Sequence, residues 1–315
     1  MWRRLLYGVL VFSIGVVGCR STPEEDAVVP SSPAVPSSIC VLPGEFTMGS
    51  PPAEPGRGPD ETAHRVRISR PFRMDATEVT VGEWSALLGG APEPPKLCGD
   101  ECPVAQVSWY DVLVYLNARS RRDGLSPCYV LEGCTGEPGT GCPAGQAECR
   151  GDFRCDRVDF AGVGCPGWRL PTEAEWEFAA RAGGETPFPG GDCISRREAA
   201  FDGTVPLAGC PGDEPGTRRV LAGSLPADAR GFHELRGNLY EWVWDLHQEF
   251  SGESGEDPRG PDVGDQRVVR GGAYAFPMAS LRAAHRSKMD PDRRSDMDGF
   301  RAVRTAGPSG ASSCD

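Results

Sequence analysis

The chain has 315 residues and a formal net charge of −12, from 45 acidic and 33 basic side chains. This acidic balance argues against nucleic acid as a partner, because phosphate binding needs a basic face. The chain also contains 41 glycines and 30 prolines, a composition that predicts much irregular loop.

The first 18 residues have the features of a bacterial lipoprotein signal peptide. Two arginines precede an apolar stretch at residues 5–17, which is shorter than the roughly 20 residues that a bilayer span requires. The stretch ends in a small residue followed by Cys19, which resembles a lipobox and predicts lipidation of that cysteine. Arg20, rather than an aspartate, follows it. We therefore expect the lipid on Cys19 to anchor the protein in the bacterial cell envelope, at the outer membrane.

The rest of the chain divides into three predicted regions. Residues 19–39 are rich in proline, serine and acidic side chains, so we expect a flexible tether. Residues 40–305 have a suitable length for one elaborated domain. Residues 306–315 form a short tail whose only predicted anchor is Cys314.

Helix-start signals occur three times along the domain. Each is a Thr or Ser followed three residues later by an acid, a pattern that satisfies the free amides of a first helical turn. These pairs are Thr80 with Glu83, Ser108 with Asp111, and Thr172 with Glu175. Following glycines predict helix ends near Leu88, Ser120 and Ala182. The clearest strand patterns are residues 65–69 and 267–270.

Cysteine content predicts a disulfide-rich domain. Twelve cysteines remain once Cys19 is assigned to the lipid, and an even number in an oxidising compartment favours disulfides. Position suggests three pairs: Cys98–Cys102, Cys193–Cys210 and Cys40–Cys314. The other six lie in a Cys-rich insertion, residues 128–165, and are Cys128, Cys134, Cys142, Cys149, Cys155 and Cys165. They contain no Cys-x-x-Cys unit, so zinc is the weaker alternative, and their pairing is left open.

Six sequence blocks follow one another in a recognisable order. They are FTMGS at residues 46–50, MDATEVT at 74–80, PVAQVSW at 103–109, WRLPTEAEWE at 168–177, GNLYEW at 237–242, and RGGAYAF at 270–276 with GFR at 299–301. Together they resemble the formylglycine-generating enzyme, or sulfatase-modifying factor, family over almost all of residues 41–305. The resemblance implies an α+β fold, a variant of the C-type lectin fold with few long regular elements.

Many residues of these blocks have a structural explanation. We expect most of the tryptophans to be core anchors, namely Trp84, Trp109, Trp168, Trp176, Trp242 and Trp244. We expect four arginines to fix loops through pairs with buried carboxylates such as Glu173 or Glu175, namely Arg169, Arg270, Arg286 and Arg301. The presence of these motifs is therefore evidence for the fold first, and for a function only after that.

The catalytic part of the resemblance is incomplete. Active family members bind copper through two cysteines that follow the Gly-Gly-x-Tyr element, and they oxidise a substrate cysteine to formylglycine. Phe276 stands at the first position, and the second falls between Met278 and Leu281, where no cysteine occurs. Because copper(I) prefers sulfur ligands, we expect no copper and no catalytic residue. The retained neighbours of that site are Tyr274, Arg286 and Ser287.

One turn resembles a calcium site of the family. The resemblance assigns the metal to side chains or carbonyls of Glu234, Gly237, Leu239 and Glu241. Oxygen ligands from one short turn suit a hard cation. We expect calcium there, with a solvated turn as the alternative.

The C-terminal loop carries four acids, Asp290, Asp292, Asp296 and Asp298. A two-carboxylate hydrolytic site is one interpretation of them. Arg293 and Arg294 cross the same loop, however, and we expect a solvated, charge-balanced surface instead.

These patterns lead to one principal functional hypothesis and two alternatives. The principal one is a non-catalytic envelope lipoprotein that binds an unknown glycan, peptide or protein ligand through residues 273–298. The first alternative is a copper-dependent oxidase that converts a protein cysteine to formylglycine with an unusual ligand set. The second is a structural component of an envelope complex.

Overall fold

The computed structural model describes residues 37–315, except for 93–98, 217, 251, 253, 309, 312 and 315. The predicted signal peptide, Cys19, nearly all of the tether and Cys98 therefore lie outside the described residues. In the part of the chain that is described, no helix has the length and apolar character needed to cross a membrane.

Three α-helices form where the sequence predicts them: α1 (Val81–Leu88), α2 (Trp109–Arg122) and α3 (Glu173–Arg181). Each begins with a complete capping box, in which the N-cap side chain and the carboxylate three residues later accept from each other's amides. Helix α2 continues past its predicted end near Ser120 to Arg122. The capping pattern thus locates helix starts better than glycine locates their ends.

The strands are short and belong to several small sheets. They are β1 (Ser38–Val41), β2 (Gly44–Met48), β3 (His64–Ile68), β4 (Phe72–Asp75), β5 (Tyr129–Glu132), β6 (Glu148–Arg150), β7 (Arg157–Phe160), β8 (Trp168–Arg169), β9 (Tyr240–Leu246), β10 (Gly255–Glu256), β11 (Arg267–Arg270), β12 (Ser287–Met289), β13 (Arg293–Ser295), β14 (Asp298–Gly299) and β15 (Val303–Thr305). Both predicted strands are present, as β3 and β11. The α+β class is confirmed.

Sheet topology brings distant parts of the chain together. One sheet has the order β1-β4-β15-β8, and a second has the order β12-β11-β9-β14. A third has the order β10-β3-β2, and two-stranded sheets join β13 with β6 and β5 with β7. The second sheet is the relevant one for function, because the Gly-Gly-x-Tyr element leaves it at the end of β11.

Aromatic side chains form the centre of the core, as predicted. Trp84, Trp109, Trp176 and Trp242 are all at most 1% exposed. Trp84 stacks on Tyr115 with ring centroids 5.2 Å apart. Burial of such large side chains stabilises a domain that has few long regular elements.

Buried arginines fix the loops around this core. All four arginines pair with buried carboxylates, as predicted. Arg169 and Arg286 pair with the expected Glu175 and Glu173.

Arg270 and Arg301 pair most closely with Glu177 and Glu241, which the sequence did not single out as their partners. Arg181 also pairs with Glu177 at 2.7 Å, four residues earlier in α3. That pair is buried, so it belongs to the core network and not to a solvated helix face.

Disulfides close the domain and the insertion. Cys40–Cys314 and Cys193–Cys210 form as predicted, and Cys102 is also disulfide-bonded. The insertion contains three nested bonds, Cys128–Cys165, Cys134–Cys155 and Cys142–Cys149. The zinc alternative is therefore wrong for this cluster, because its thiols are consumed by disulfides.

Candidate functional site

The Gly-Gly-x-Tyr element leaves β11 through two left-handed glycines. Gly271 and Gly272 have φ values of 94° and 77°. A Cβ at Gly272 would lie 2.8 Å from the Ser280 carbonyl oxygen, so both its conformation and its packing require glycine. The Tyr274 amide then donates to the Asn238 carbonyl at 3.0 Å. This turn places the following residues beside the start of β9.

Phe276 occupies the first expected thiol position. Its half-buried ring meets the Tyr240 ring edge to face, with centroids 4.9 Å apart. The Asp202 amide donates to its carbonyl oxygen at 2.9 Å. An aromatic ring thus fills the place where the resemblance would put a copper ligand.

The second expected thiol position lies in a short 3₁₀-helix, Met278–Leu281. Met278 is fully buried and packs in an apolar cluster with Phe188 and Phe201. Every cysteine in the described part of the chain is in a disulfide. Because no thiolate is available and the one thioether is enclosed in apolar packing, the residues present do not fit a copper(I) site.

Tyr240 lies at the centre of the polar groups around this position. Its side chain bonds with Ser280 and Ser287, and burial raises its pKa to about 12. The nearby Tyr274 hydroxyl donates to Asp296 Oδ2 at 3.4 Å. We refer to Tyr240, Tyr274, Phe276, Ser287 and Asp298 together as the Tyr240 site.

Asp298 is the fully buried acid of the Tyr240 site. It pairs with Tyr240 between β14 and β9, and Arg293 lies 3.0 Å from its carboxylate. Neither carboxylate oxygen accepts a hydrogen bond of good geometry. Burial raises the pKa of this carboxyl to about 7, although Arg293 opposes the rise. The expectation of a wholly solvated loop is wrong here, because strand pairing draws Asp298 inward.

Arg294 is also buried, against the same expectation. It pairs with Asp111 through Nε, at 2.8 Å from Oδ2, and through Nη2, at 2.9 Å from Oδ1. Asp111 belongs to the capping box of α2, so the C-terminal loop is fixed to a helix start. Asp290, Asp292 and Asp296 stay half-buried, and the first two bond with Arg150.

Arg286 is separated from the other residues that the resemblance associates with catalysis. It pairs with both oxygens of Glu173, at 2.6 and 2.8 Å, and its guanidinium stacks on Phe250 at 3.7 Å. Its neighbour Ser287 instead bonds with Tyr240. Ser287 begins β12 and Arg286 directly precedes it. Ser287 and Phe276 thus share Tyr240 as a partner, while Arg286 is held on Glu173.

The Cys-rich insertion forms part of the surroundings of the Tyr240 site. Its strand β6 pairs antiparallel with β13, so that Arg293 lies opposite Arg150. Arg293 contacts both Glu148 of the insertion, at 2.9 Å, and Asp298. The insertion is thus joined to the buried acid by one arginine, a link that the sequence did not predict.

The predicted calcium ligands lie on one tight turn. Glu234, Gly237 and Asn238 all have positive φ values, of 47°, 73° and 59°. Glu234 is buried, and its carboxylate accepts the amides of Gly223 and Leu225 at 2.7 and 2.9 Å.

Glu241, the last of the predicted calcium ligands, forms a buried ion pair. Arg301 Nε lies 2.8 and 2.9 Å from its two oxygens, and Trp176 Nε1 donates to Oε2 at 2.7 Å. The charge of Glu241 is therefore already offset by an arginine, whereas the Glu234 carboxylate accepts from neutral amides.

Glu78 is not one of the predicted calcium ligands, but it adds a second buried carboxylate beside Glu234. It is fully buried, and its Oε1 has no hydrogen-bond partner. Its pKa is raised well above the usual value, first by burial and then by the Glu234 carboxylate, while Arg301 opposes the rise. This excess of buried negative charge fits a cation between Glu78 and Glu234. The MDATEVT block, which contains Glu78, is the sequence signal that could have found it.

Comparisons with known proteins agree with this geometry. A family model described as a sulfatase-modifying factor enzyme 1-like domain matches residues 25–306. The chain is 32% identical over 296 residues to the formylglycine-generating enzyme of Bos taurus, which covers 86% of this chain and 75% of that protein. It is 28% identical over 246 residues to chaperone protein LppX of Paenibacillus barcinonensis, covering 74% of this chain and 80% of that protein.

A solved structure shows the same fold. Treponema denticola variable protein 1 matches with a TM-score of 0.68 and 24% identity, covering 85% of this chain and 94% of that structure. At this identity the likeness concerns the fold alone.

Proposed function

The chain belongs to the sulfatase-modifying factor enzyme 1-like family, and from that premise we propose that it is a non-catalytic, ligand-binding member. The ligand would occupy the Tyr240 site and the surface formed by residues 273–298. We further propose that the protein is a lipoprotein of the bacterial envelope, anchored through Cys19 at the outer membrane.

One observation carries this proposal: Phe276 occupies the first copper position, and residues 278–281, where the second position falls, contain no cysteine. An oxidase of this family needs a soft-metal site, and sulfur is the ligand that such a site requires. The described cysteines cannot supply it without reduction of a disulfide. The scaffold around the position is retained in detail while its metal ligands are missing, which favours binding over catalysis.

The exposed character of the surface supports recognition. Tyr274 and Phe276 are half-buried aromatic side chains, and Ala275 between them is exposed. Aromatic residues of this kind often provide the main contacts of a binding interface. The disulfide-bonded insertion lies beside them through β6, so it offers a rigid second wall.

A protein ligand is favoured by one relative. LppX carries the word chaperone in its name, and by analogy the partner of the present chain would be a polypeptide. An assembly role in an envelope complex is the second candidate, and the same analogy favours it. In the ligand-binding role the partner is bound reversibly, whereas in the assembly role it stays bound.

We also propose that calcium lies between Glu78 and Glu234. Two buried carboxylates and an unpartnered oxygen at Glu78 support it. When bound, calcium would neutralise these charges and rigidify the turn that leads into Tyr240.

The test of the proposed function has two arms, both on the full chain purified in mild detergent. Copper(I) loading followed by desalting should leave no stoichiometric copper, and a Cys-x-Pro-x-Arg peptide should remain unoxidised. Retained copper with peptide oxidation would instead establish the oxidase alternative.

The second arm measures binding of cell-wall glycans, peptides and envelope proteins to the immobilised protein. Tyr274→Ala and Phe276→Ala should each weaken saturable binding about tenfold. Val263→Ala, at an 82% exposed loop position, is the matched control and should have no effect. Absence of saturable binding, or equal binding by all variants, would contradict the proposal. A partner that co-purifies in stoichiometric amount would favour the assembly role.

A further inference from the structure

A second pocket, separate from the Tyr240 site, has a volume of about 300 Å³. It lies between residues 188–198 and residues 226–236. Its walls are mainly apolar and include Phe188, Ile194, Phe232 and Leu235. It shares no lining residue with the Tyr240 site. Concave pockets with apolar walls and few polar groups are the usual form of small-molecule sites.

Arg236 is an unusual polar group for such a pocket. It is only 5% exposed, and it makes no ion pair with the described residues. Its Nη2 donates to the Ala180 carbonyl near the end of α3, but its Nε has no partner. Burial lowers its pKa to about 10, so it remains charged at neutral pH. Capping of α3 explains one of its contacts. The charge of this buried cation is offset by Asp228 only at a distance, without an ion pair.

Asp228 presents the opposite charge to the same pocket. Its Oδ1 accepts the amides of Arg230 and Phe232, at 2.9 and 3.1 Å. Its Oδ2 is buried without a partner. Asp228 and Arg236 both line the pocket, yet they form no ion pair. Each therefore keeps one polar atom without a hydrogen-bond partner, and both side chains belong to the wall of the pocket.

The other acids of the pocket are already engaged. Glu234 accepts the amides of Gly223 and Leu225. Glu198 accepts both the amide and the hydroxyl of Ser195, at 3.0 and 2.6 Å. Among the described side chains that line the pocket, Arg236 is the one cation, and Asp228 has a buried carboxylate oxygen without a partner. Neighbouring acids also disfavour a multiply charged anion such as phosphate.

We propose that this pocket binds a free amino acid with an apolar side chain. The guanidinium of Arg236 would take the carboxylate, because its fork matches that group. Asp228 Oδ2 would accept from the ammonium group. The apolar walls would enclose the side chain. This ligand would satisfy both unpartnered groups at once, whereas a simple fatty or aromatic acid would satisfy only the arginine.

The experiment is thermal unfolding and calorimetric titration of the full chain in detergent. The probes are the apolar L- and D-amino acids, each with its amide and with the acid that lacks the amino group. At least one amino acid should raise the unfolding temperature in a concentration-dependent way. Its amide and its deaminated acid should each bind at least about tenfold more weakly.

Two variants and one control separate binding from folding. Arg236→Met should weaken binding about 100-fold, while the ligand-free protein becomes no less stable, because a buried unpaired charge is removed. Asp228→Asn should reduce the preference for the amino acid over its deaminated acid. Arg230→Met is the control, since Arg230 lies over Phe178 and does not line the pocket.

Three results would overturn the proposal. The first is that no probe shifts the unfolding temperature of the wild-type protein. The second is that Arg236→Met binds a probe as tightly as wild type. The third, a ligand-free Arg236→Met chain much less stable than wild type, would assign Arg236 to capping of α3. If Arg236→Met fails to fold, Asp228→Asn serves as the test. An unchanged preference of Asp228→Asn for the amino acid over its deaminated acid would then overturn the proposal.

Discussion

Asp298 is expected to make the stability of this protein fall as the pH rises through the neutral range. Its pKa is raised from 3.8 to about 7 in the folded protein, chiefly by burial. The folded state therefore binds more protons than the unfolded state between these two values. A shift of about three units at 1.36 kcal/mol each corresponds to about 4 kcal/mol of stability. That stability is fully present below pH 3.8 and is lost above pH 7.

Asp298→Asn removes this titration and nearly preserves the shape of the side chain. The free energy of unfolding of the variant minus that of wild type should therefore rise by about 2–4 kcal/mol between pH 4 and pH 8. Urea unfolding at intervals of pH measures it. Because both proteins share every other titrating group, the difference isolates Asp298.

Asp290→Asn is the matched control in the same loop. Its pKa is lowered, first by a hydrogen bond from Gln266, and it pairs with Arg150 near the surface. Removal of Asp290 should cost a little stability above pH 4, which is the opposite sign, and the effect should be small. A difference curve for Asp298→Asn that is flat, or that falls with pH, would refute the reasoning.

Two further predictions concern covalent and metal stabilisation. The Cys40–Cys314 bond closes a loop of 274 residues, and Cys142–Cys149 closes one of 7. In the chain-entropy model, replacing both cysteines by serine should cost about 5–6 kcal/mol for the first bond and about 2 kcal/mol for the second. Equal losses in urea unfolding would contradict that ranking. Calcium-loaded, desalted protein should retain about one calcium by mass spectrometry and Glu234→Gln should not. Wild-type protein that retained no calcium after loading and desalting would contradict the proposed cation site.

The local elements of this protein are readable from short sequence patterns. The three capping boxes predict all three helix starts, because the interactions that form them lie within four residues. The family blocks predict the buried arginine pairs of Arg169 and Arg286. The missing copper ligands are also evident from sequence alone, since no thiol occurs at Phe276 or Met278.

Predictions failed where a side chain's surroundings come from distant segments. Asp298 reads as a loop acid, yet pairing of β14 with β9 buries it beside Tyr240. Arg294 reads as a cation of the same solvated loop, but the Asp111 carboxylate at the start of α2 holds it in the interior. In both cases the deciding partner is distant in the sequence.

Short sequence patterns thus establish the family, the helix starts and the lack of cysteine at the two copper positions. The nested disulfides, the different partners of Arg286 and Ser287, and the pocket lined by Arg236 and Asp228 depend on how remote segments pack. These two groups of features differ in the range of the interactions that produce them. Caps and motifs act over a few residues, whereas burial and charge pairing depend on which remote segments fold against each other.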